Sequence, residues 1–456
     1  MSSLPRRASA SLLYPLIGHR RAESIAASRR GVAITAARFL ADVERVAAAL
    51  PAANHVLNSC GDRYLFAVAL CAAICRGQTT LLPPTTTPNV VKAMLAFAPD
   101  VYYITDDPDT ALALPRFELG ALLQENAAPA RHGFEVPQIA ADQVVACVFT
   151  SGSTGEPQPH FKTWGSLVVD MRGEAKRLAV GASHTIFGTV PPQHMYGFES
   201  TVMLPLVTGA TLTGERLYFP ADIEAAIEAA APPRILFTTP FHLRAWMESE
   251  GAGHIETMVS ATAPLSVGLA RQAEERTGAQ VYEIYGCTEA GQVATRRPTE
   301  SVEWHALDGL RLWNEGEQAM CSGAHVESPT PLQDVIEVRG DGTRFLLHGR
   351  SSDMVNIAGK RNSLGYLNHQ LTAIPGVVDG AFFLPDDAPG DGVTRLTAFA
   401  VAPGLDARSI LAELRQRVDP AFMPRPLLLV DSLPRALSGK LPREALRALA
   451  ASARKR

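Results

Sequence analysis

Short apolar runs alternate with alanine-rich helical stretches along roughly the first 340 residues of this 456-residue chain. The runs Val144–Phe149, Ile235–Thr239 and Val281–Tyr285 have the length and composition of buried strands. The stretches Ile223–Ala231 and Leu265–Arg276 show the spacing of amphipathic helices. Because strands that alternate with helices form helix-covered sheets, the sequence predicts an α/β fold.

Individual helices can be placed from their end signals. Thr35 is a plausible N-cap for a helix that runs to Leu50, where Pro51 stops it. The longest apolar run, Leu65–Cys75, is well short of the ~20 residues that cross a bilayer, so we expect a buried helix and no membrane span. The six cysteines show no zinc-type spacing, which favours reduced thiols in a cytoplasmic protein.

The character of the sequence changes after Arg350. A segment rich in Gly and Asn, Asn356–Gly365, precedes shorter elements that include the strand-like Thr394–Val401 and the helical Ile410–Val418. A chain of this length is too long for one core. We therefore expect a large N-terminal domain of layered α/β subdomains, residues 1–349, and a small α+β C-terminal domain, residues 353–456.

The net charge is only -4, and Lys and Arg are interspersed among Asp and Glu. No overall field would attract nucleic acid or an anionic membrane, so we expect neither as a partner. Partners must be inferred from local sites.

The strongest local signal is a loop of small and hydroxyl residues directly after the strand Val144–Phe149. Such residues let backbone N–H groups approach phosphates closely, so the loop is predicted to hold a nucleotide triphosphate. It lacks the Gly-Lys-Ser/Thr ending of a P-loop, and by itself it could be a simple turn. The loop consists of Thr150, Ser151, Gly152, Ser153, Thr154 and Gly155.

A second segment, Tyr285–Glu289, follows the strand that ends at Tyr285. Open α/β sheets bind ligands at this edge. Tyr285 is predicted to stack on a base, Thr288 to hold a phosphate, and Glu289 to bind Mg²⁺. The alternative is a surface turn.

Near the C-terminus, Ser438–Arg443 places Lys440 on a Gly-containing loop. The alternative for this segment is a solvated basic loop.

In this order, these segments resemble the adenylate-forming superfamily, which includes acyl-CoA synthetases, aryl-CoA ligases and the adenylation domains of peptide synthetases. The resemblance extends from about Ala22 to Arg447. It implies an ATP- and Mg²⁺-dependent acid–thiol ligase that forms an acyl-adenylate, releases pyrophosphate and transfers the acyl group to CoA or a phosphopantetheine thiol. It also implies a hinge at residues 350–352 and a mobile C-terminal domain.

The resemblance assigns roles to single residues. Thr150–Gly155 is similar to the phosphate loop, and Ala261, with Tyr285 and Gly286, to the segments around the adenosine. Lys440 matches the lysine that catalyses adenylation. Four further positions match the histidine beside the acyl pocket, the ribose-binding aspartate, the hinge arginine and a phosphate-contacting arginine: His194, Asp334, Arg350 and Arg361.

The chain departs from the family pattern at two places. The phosphate loop is followed by Pro157–Lys162, which reads Pro-Gln-Pro-His-Phe-Lys where Pro-Lys-Gly is usual. Lys162 is therefore predicted to replace the missing cation, although the loop could also work without one. The hinge carries Ser352 where Asp or Lys is usual, so its pivot stays open.

We expect the substrate to be a medium-sized acyl or aryl carboxylic acid. An aromatic acid is slightly favoured, because His194–Phe198, Phe237 and Phe241 offer aromatic walls. The thiol would arrive on a separate molecule, either CoA or an acyl carrier protein. Two alternatives remain: an enzyme of a polyketide or polyene pathway that loads only a carrier protein, and a non-catalytic relative that binds an adenylate.

Overall fold

The computed structural model describes nine segments of the chain, and the predicted α/β fold is confirmed. The described segments are residues 12–120, 122–123, 134–151, 157–251, 253–350, 353–357, 360–385, 395–435 and 441–453. Strands and helices alternate through the N-terminal two thirds, and antiparallel strands follow.

The strands before residue 350 are β1 Leu13–Pro15, β2 Ile25–Arg29, β3 Val32–Thr35, β4 His55–Asn58, β5 Thr79–Leu82, β6 Tyr102–Thr105, β7 Arg116–Glu118, β8 Gln138–Ala140, β9 Val144–Ser151, β10 Pro157–Thr163, β11 Thr185–Gly188, β12 Thr211–Thr213, β13 Arg234–Thr238, β14 Thr257–Ser260, β15 Gln280–Cys287, β16 Gly291–Arg296, β17 Trp304–Ala306, β18 Leu310–Glu315, β19 Gln318–Gly323, β20 Val326–Leu332, β21 Asp334–Arg339 and β22 Arg344–Arg350. The later strands are β23 Met354–Ile357, β24 Lys360–Ser363, β25 Asp379–Phe383, β26 Thr397–Val401 and β27 Leu427–Leu429.

The α-helices are α1 Ala36–Ala49, α2 Arg63–Cys75, α3 Pro88–Phe97, α4 Trp164–Leu178, α5 Met195–Phe198, α6 Leu204–Thr208, α7 Pro220–Ala229, α8 Pro240–Glu248, α9 Val267–Thr277, α10 Leu364–Thr372, α11 Ala407–Leu414 and α12 Arg443–Ala453. A π-helical turn, Glu199–Met203, joins α5 to α6, and a 3₁₀ turn spans Pro420–Phe422.

Two sheets carry the N-terminal part. The first has the order β10-β9-β5-β4-β6-β7 and is parallel except for the β9–β10 pair. The second has eleven strands in the order β21-β22-β17-β16-β15-β14-β13-β11-β12-β2-β3. Its central strands β11 to β15 are parallel. Beyond β15 the sheet continues with antiparallel strands in the order β16, β17, β22 and β21. The parallel strands therefore end at one common edge.

The sequence predictions for single elements hold with small shifts at the ends. Helix α1 begins where expected, because the side chain of Thr35 accepts a hydrogen bond from the backbone N–H of Arg38. Helix α2 is almost entirely buried, as expected for its apolar run. Helix α7 begins at Pro220, three residues earlier than predicted, because proline suits the first helical turn, where no backbone donor is needed.

The residues after 350 form separate apolar clusters. One contains Val355, Leu371 and Ile410, and the other contains Phe383 and Leu446. Neither cluster includes a described residue from before position 350. This separation is consistent with the predicted C-terminal domain, but residues 351 and 352 lie outside the described segments, so the hinge and the domain bounds stay predictions.

All six cysteines are free, as the sequence predicts. Within the described segments, no helix combines the length and apolarity needed to cross a bilayer.

A buried arginine joins the first sheet's helix α2 to the edge of the second sheet. Arg63 is only 3% exposed. Its Nε donates to the hydroxyl of Thr201 over 2.9 Å. Its two terminal nitrogens donate to the carbonyls of Thr213, Glu215, Gly188 and Val190 over 2.9 to 3.2 Å. The guanidinium thus satisfies backbone acceptors at the ends of β11 and β12 and fixes the distance between the two sheets.

Replacing Arg63 by Met should destabilise the protein by at least about 3 kcal/mol, because several buried carbonyls would lose their donor. Urea unfolding followed by circular dichroism measures this loss. The matched control is Arg271→Met on helix α9, where the arginine is exposed. Equal stability of the two variants would contradict the role given to Arg63.

Candidate active site

The predicted phosphate loop, Thr150–Gly155, connects strands β9 and β10 of an antiparallel hairpin. The two strands pair in antiparallel register up to Ser151 opposite Pro157. The hydroxyl of Thr150, at the end of β9, lies 3.0 Å from Nε2 of His160 on β10. Gly152, Ser153, Thr154 and Gly155 lie outside the described residues, and only the backbone of Ser151 is described. The structure therefore fixes the strands that carry the loop.

The segment that contains Glu289 faces this hairpin. Thr288 and Glu289 form the turn between β15 and β16, and both side chains are partly exposed. Gly286 permits the tight approach of the two strands, since a Cβ there would lie 2.6 Å from the carbonyl oxygen of Gly291. Nε2 of His160 lies 4.0 Å from Oε1 of Glu289. His160 therefore links the phosphate-loop strand to the proposed magnesium ligand.

His160 is a site residue that the motif comparison did not identify. Burial lowers its pKa below the usual value, and Lys162 lowers it further, while Glu289 opposes the shift. The imidazole is therefore mostly neutral at pH 7 and can share a hydrogen bond with the hydroxyl of Thr150. Its sequence signal was the departure from the family pattern, because Gln158 and Pro159 stand where the family carries Lys and Gly, directly before His160.

Asp334, which is predicted to bind the ribose, lies beside the same segment. The hydroxyl of Tyr285 donates to Oδ2 of Asp334 over 2.8 Å. Asp334 pairs with Arg350 in the β21–β22 ladder, so the ribose and hinge positions are adjacent. The side chains of Arg350 and Arg361 lie outside the described part of the chain.

Tyr285, which is predicted to stack on a base, is largely buried. Its ring is 7% exposed and packs edge-on against Trp304 and Phe345, with centroids 5.9 and 5.6 Å apart. Burial and the neighbouring Asp334 raise the pKa of its hydroxyl. The hydrogen bond to Asp334 gives Tyr285 a positioning role, and its stacking on a base stays a prediction.

Ala261 leaves the sheet at the edge from which Tyr285 emerges. Strands β14 and β15 are parallel neighbours, with Ser260 opposite Glu283. Ala261 follows directly after β14 and is 8% exposed. This placement is compatible with the predicted adenine-lining role.

His194 borders a cavity of about 300 Å³ between the two sheets. It is the N-cap of the short helix α5, follows the end of β11, and is partly exposed. The walls come from the ends of β4, β5, β11 and β12 and from the start of α2. Their charged members are Arg63 and Arg216, and Tyr218 adds an aromatic ring beside His194. The cavity thus lies at the common edge of the parallel strands, as expected for a ligand site.

The expected aromatic walls are not where the sequence suggested. Phe198 and Phe237 have no exposed surface and belong to the core. Phe241 is 55% exposed on helix α8. The hydroxyl of Tyr196 donates to the carbonyl of Val259 over 2.8 Å. Phe198 and Phe237 therefore support the cavity from behind and do not contact its contents.

Lys162 also lies away from the position that was expected for it. Its side chain is 8% exposed and faces the interior with the acidic residues Asp170 and Glu199. It stands five residues beyond the loop end of β10 at Pro157. Its replacement of the missing loop cation remains untested. The predicted catalytic Lys440 lies outside the described residues.

Comparisons with known proteins agree with this geometry. The family described as AMP-binding enzyme matches residues 18–314. The chain is 29% identical over 284 residues to a 4-coumarate–CoA ligase of Rhodobacter capsulatus, which covers 61% of this chain and 69% of that protein. It is 30% identical over 308 residues to a 4-coumarate–CoA ligase of Halorhodospira halophila, which covers 64% and 73%. The fold matches O-succinylbenzoate coenzyme A synthetase from Bacillus subtilis in complex with AMP, with a TM-score of 0.80, 18% identity and coverage of 96% and 98%.

Changing His160 tests its role as a positioning residue. His160→Leu should raise the KM for ATP by about tenfold or more, with a smaller change in the KM for the acid, because the hydrogen bond to Thr150 is lost. His160→Gln keeps a side-chain donor and acceptor and should recover much of the loss. His254→Leu, an exposed histidine far along the chain, is the control. Equal ATP kinetics in the Leu and Gln variants would show that the hydrogen bond does not matter.

Proposed function

Because the chain belongs to the AMP-binding enzyme family, the adenylate-forming superfamily, we propose that it activates an acyl or aryl carboxylic acid as an acyl-adenylate and transfers the acyl group to a thiol. CoA is the favoured acceptor, since the similar 4-coumarate ligases are named as CoA ligases. Those names also favour an aromatic acid. The phosphopantetheine of a carrier protein has the same reacting thiol and is the alternative acceptor.

One observation supports this proposal above all: the segments predicted to bind the nucleotide lie next to one another where the two sheets meet. Thr150, His160 and Glu289 are joined by contacts of 3.0 and 4.0 Å. Asp334 is joined to Tyr285, four residues before Glu289, by a hydrogen bond of 2.8 Å. A triphosphate at the hairpin tip and a ribose at Asp334 would place the α-phosphate beside Glu289.

The residues at Glu289 fit a magnesium ion. Glu289 offers a partly exposed carboxylate, and the ion pair found for it among the described residues is the long contact to His160. No cluster of three or more His, Cys, Asp or Glu side chains in the described segments could hold a metal. Mg²⁺ is commonly bound by one or two carboxylates together with phosphate oxygens and water. When bound, the ion would neutralise charge on the phosphates.

The chain's own groups suit attack by one anion on another. The acid's carboxylate must approach the α-phosphate, so positive groups and backbone donors are needed where charge develops. We assign the loop after Thr150 to the phosphates and Lys440 to the carboxylate and the α-phosphate. The His194 cavity is placed to receive the acid or the arm of the thiol. No side-chain nucleophile is required, because the acid itself is the nucleophile.

The second half-reaction requires Lys440 to leave so that the thiol can enter. A small domain on a hinge at residues 350–352 can carry the lysine in and out. The separate apolar clusters on either side of position 350 support this movement.

Glu289→Gln keeps the side-chain size and removes the charge. Acid-dependent exchange between ATP and labelled pyrophosphate should fall by at least ~10²-fold, as is typical when one electrostatic contact to a transition state is lost. Glu275→Gln, an exposed position on helix α9, should exchange normally. Near-normal pyrophosphate exchange by Glu289→Gln would show that Glu289 is not the magnesium ligand.

Lys440→Ala should separate the two half-reactions. We expect acid-dependent pyrophosphate exchange to fall severely, while thioester formation from a supplied acyl-adenylate stays close to normal. Both rates are measured on the same preparation, so losses of folded protein cancel. A parallel fall of both rates would indicate a structural or thiol-binding lysine, and unchanged rates would remove Lys440 from the mechanism.

A further inference from the structure

A second cavity, which we call the inner cavity, lies beneath Glu289 and has a volume of about 170 Å³. Its walls come from β10, helix α4, the π-helical turn, the β15–β16 turn and strand β20. Five polar or charged members carry the argument: Lys162, Asp170, Glu199, Glu289 and His325. Because Glu289 belongs to its wall, the cavity continues from the proposed reaction centre into the interior.

Three side chains converge at one point of this cavity. A methyl group added to Gly291 would lie 2.5 Å from Oδ2 of Asp170, 3.3 Å from Oε1 of Glu199 and 3.4 Å from Nε2 of His325. Gly291 has a φ of +75° and follows Glu289 by two residues. The absence of a side chain at Gly291 therefore leaves room for all three groups beside the reaction centre.

These groups are buried and incompletely satisfied. Asp170, Glu199 and His325 are 2%, 3% and 9% exposed. Within the described part of the chain, Oδ1 of Asp170, Oε1 of Glu199 and Nε2 of His325 have no hydrogen-bond partner of normal geometry. The groups do contact one another, because Nε2 of His325 lies 3.6 Å from Oδ2 of Asp170 and the carboxyl groups of Asp170 and Glu199 interact. A buried polar atom without a partner costs about 1–3 kcal/mol, so three of them in one place point to a ligand that satisfies them.

The backbone at Glu199 supports the same conclusion. Glu199 is the first residue of the π-helical turn Glu199–Met203 between α5 and α6. Such turns are less stable than a regular α-helix and occur often at functional sites. Here the turn follows directly after the segment that begins at His194.

The charges of the wall restrict what can bind. Behind Asp170 and Glu199 lies a third buried acid, Glu174, whose pKa burial and Asp170 raise to about 8. Burial also raises the pKa of Glu199 and of Asp170. The wall therefore offers carboxyl groups in excess over its single lysine, which disfavours a further carboxylate on the ligand.

Lys162 disfavours a positively charged group on the ligand. Its side chain belongs to the same wall, it is 8% exposed, and no ion pair within 4.0 Å is found for it among the described residues. A ligand ammonium would therefore meet a like charge. A neutral group that both donates and accepts suits a wall that contains a cation and acids, and a hydroxyl is the smallest such group.

We propose that the inner cavity binds a hydroxyl group at the end of the acid remote from the reacting carboxylate, so that the substrate is a hydroxylated carboxylic acid. The hydroxyl donates to Asp170 or Glu199 and accepts from Lys162. This inference rests on the proposed function, because the acid's carboxylate must lie beside Glu289 for its far end to reach Asp170 and Glu199.

The test compares acids of matched size that differ at the far end. In acid-dependent pyrophosphate exchange, 4-hydroxybenzoate should exceed 4-methylbenzoate, 4-(aminomethyl)benzoate and terephthalate by at least about tenfold in kcat/KM. The aliphatic pair 6-hydroxyhexanoate and heptanoate shows whether a hydroxyl is preferred without a ring. A preference for the methyl, ammonium or carboxylate member of the series would overturn the proposal.

Variants locate the preference. Glu199→Leu should reduce the ratio of hydroxyl to methyl substrate toward one. Glu174→Gln, an acid of the same cluster that is not part of the cavity wall, should keep the ratio. Because the ratio is taken within one preparation, partial misfolding of a variant does not affect it. A ratio that survives in Glu199→Leu would place the hydroxyl elsewhere.

Direct binding separates this proposal from the proposed function. Isothermal titration calorimetry with the same acids should show the hydroxyl preference in the wild-type protein and its loss in Glu199→Leu, even without turnover. If no acid supports exchange but the binding preference is present, the ligase proposal fails and the hydroxyl subsite stands. If the acids support exchange but show no hydroxyl preference in either assay, the hydroxyl subsite fails and the ligase proposal stands.

Discussion

Everything in the site depends on the parallel arrangement of the central strands β11 to β15, because parallel neighbours end at the same edge of a sheet. Residues far apart in sequence, such as His194, Ala261 and Glu289, follow these strands and therefore emerge side by side. Arg63 holds the first sheet against this edge through the carbonyls at the ends of β11 and β12. The hairpin that carries Thr150 is thereby kept near Glu289, so the segments proposed to bind the nucleotide lie side by side.

The interior beside this edge is unusually polar. A core of apolar side chains in place of Asp170, Glu174 and Glu199 would cost less to bury. The carboxyl groups are kept apart from solvent by helix α4 and the π-helical turn, and the basic side chains beside them are Lys162 and His325. The protein thus gives up folding stability at the place where the substrate acid is proposed to bind. Such a loss of stability is common at functional sites.

The sequence predicted much of the fold, because strand and helix signals are local. Thr35 caps α1 and the apolar run of α2 is buried, as the residues themselves indicated. The long-range contacts could not be predicted in this way. His160 and Glu289 are 129 positions apart, and the packing of Tyr285 depends on Phe345, which follows it by 60 positions.

The inner cavity was invisible in the sequence for the same reason. Asp170 and Glu199 stand on a helix and a π-helical turn, and His325 lies between two later strands. No spacing rule connects three such positions. Only the folded chain brings them together around Gly291.

The most direct test of the central claim follows the oxygen atoms of the acid. A substrate acid with ¹⁸O in both carboxylate oxygens is incubated with ATP, Mg²⁺ and the thiol, and the nucleotide product is analysed by mass spectrometry. If the carboxylate attacks the α-phosphate, one ¹⁸O must appear in AMP when the thiol displaces it from the adenylate. Unlabelled AMP, or ADP with the label in inorganic phosphate, would contradict the account.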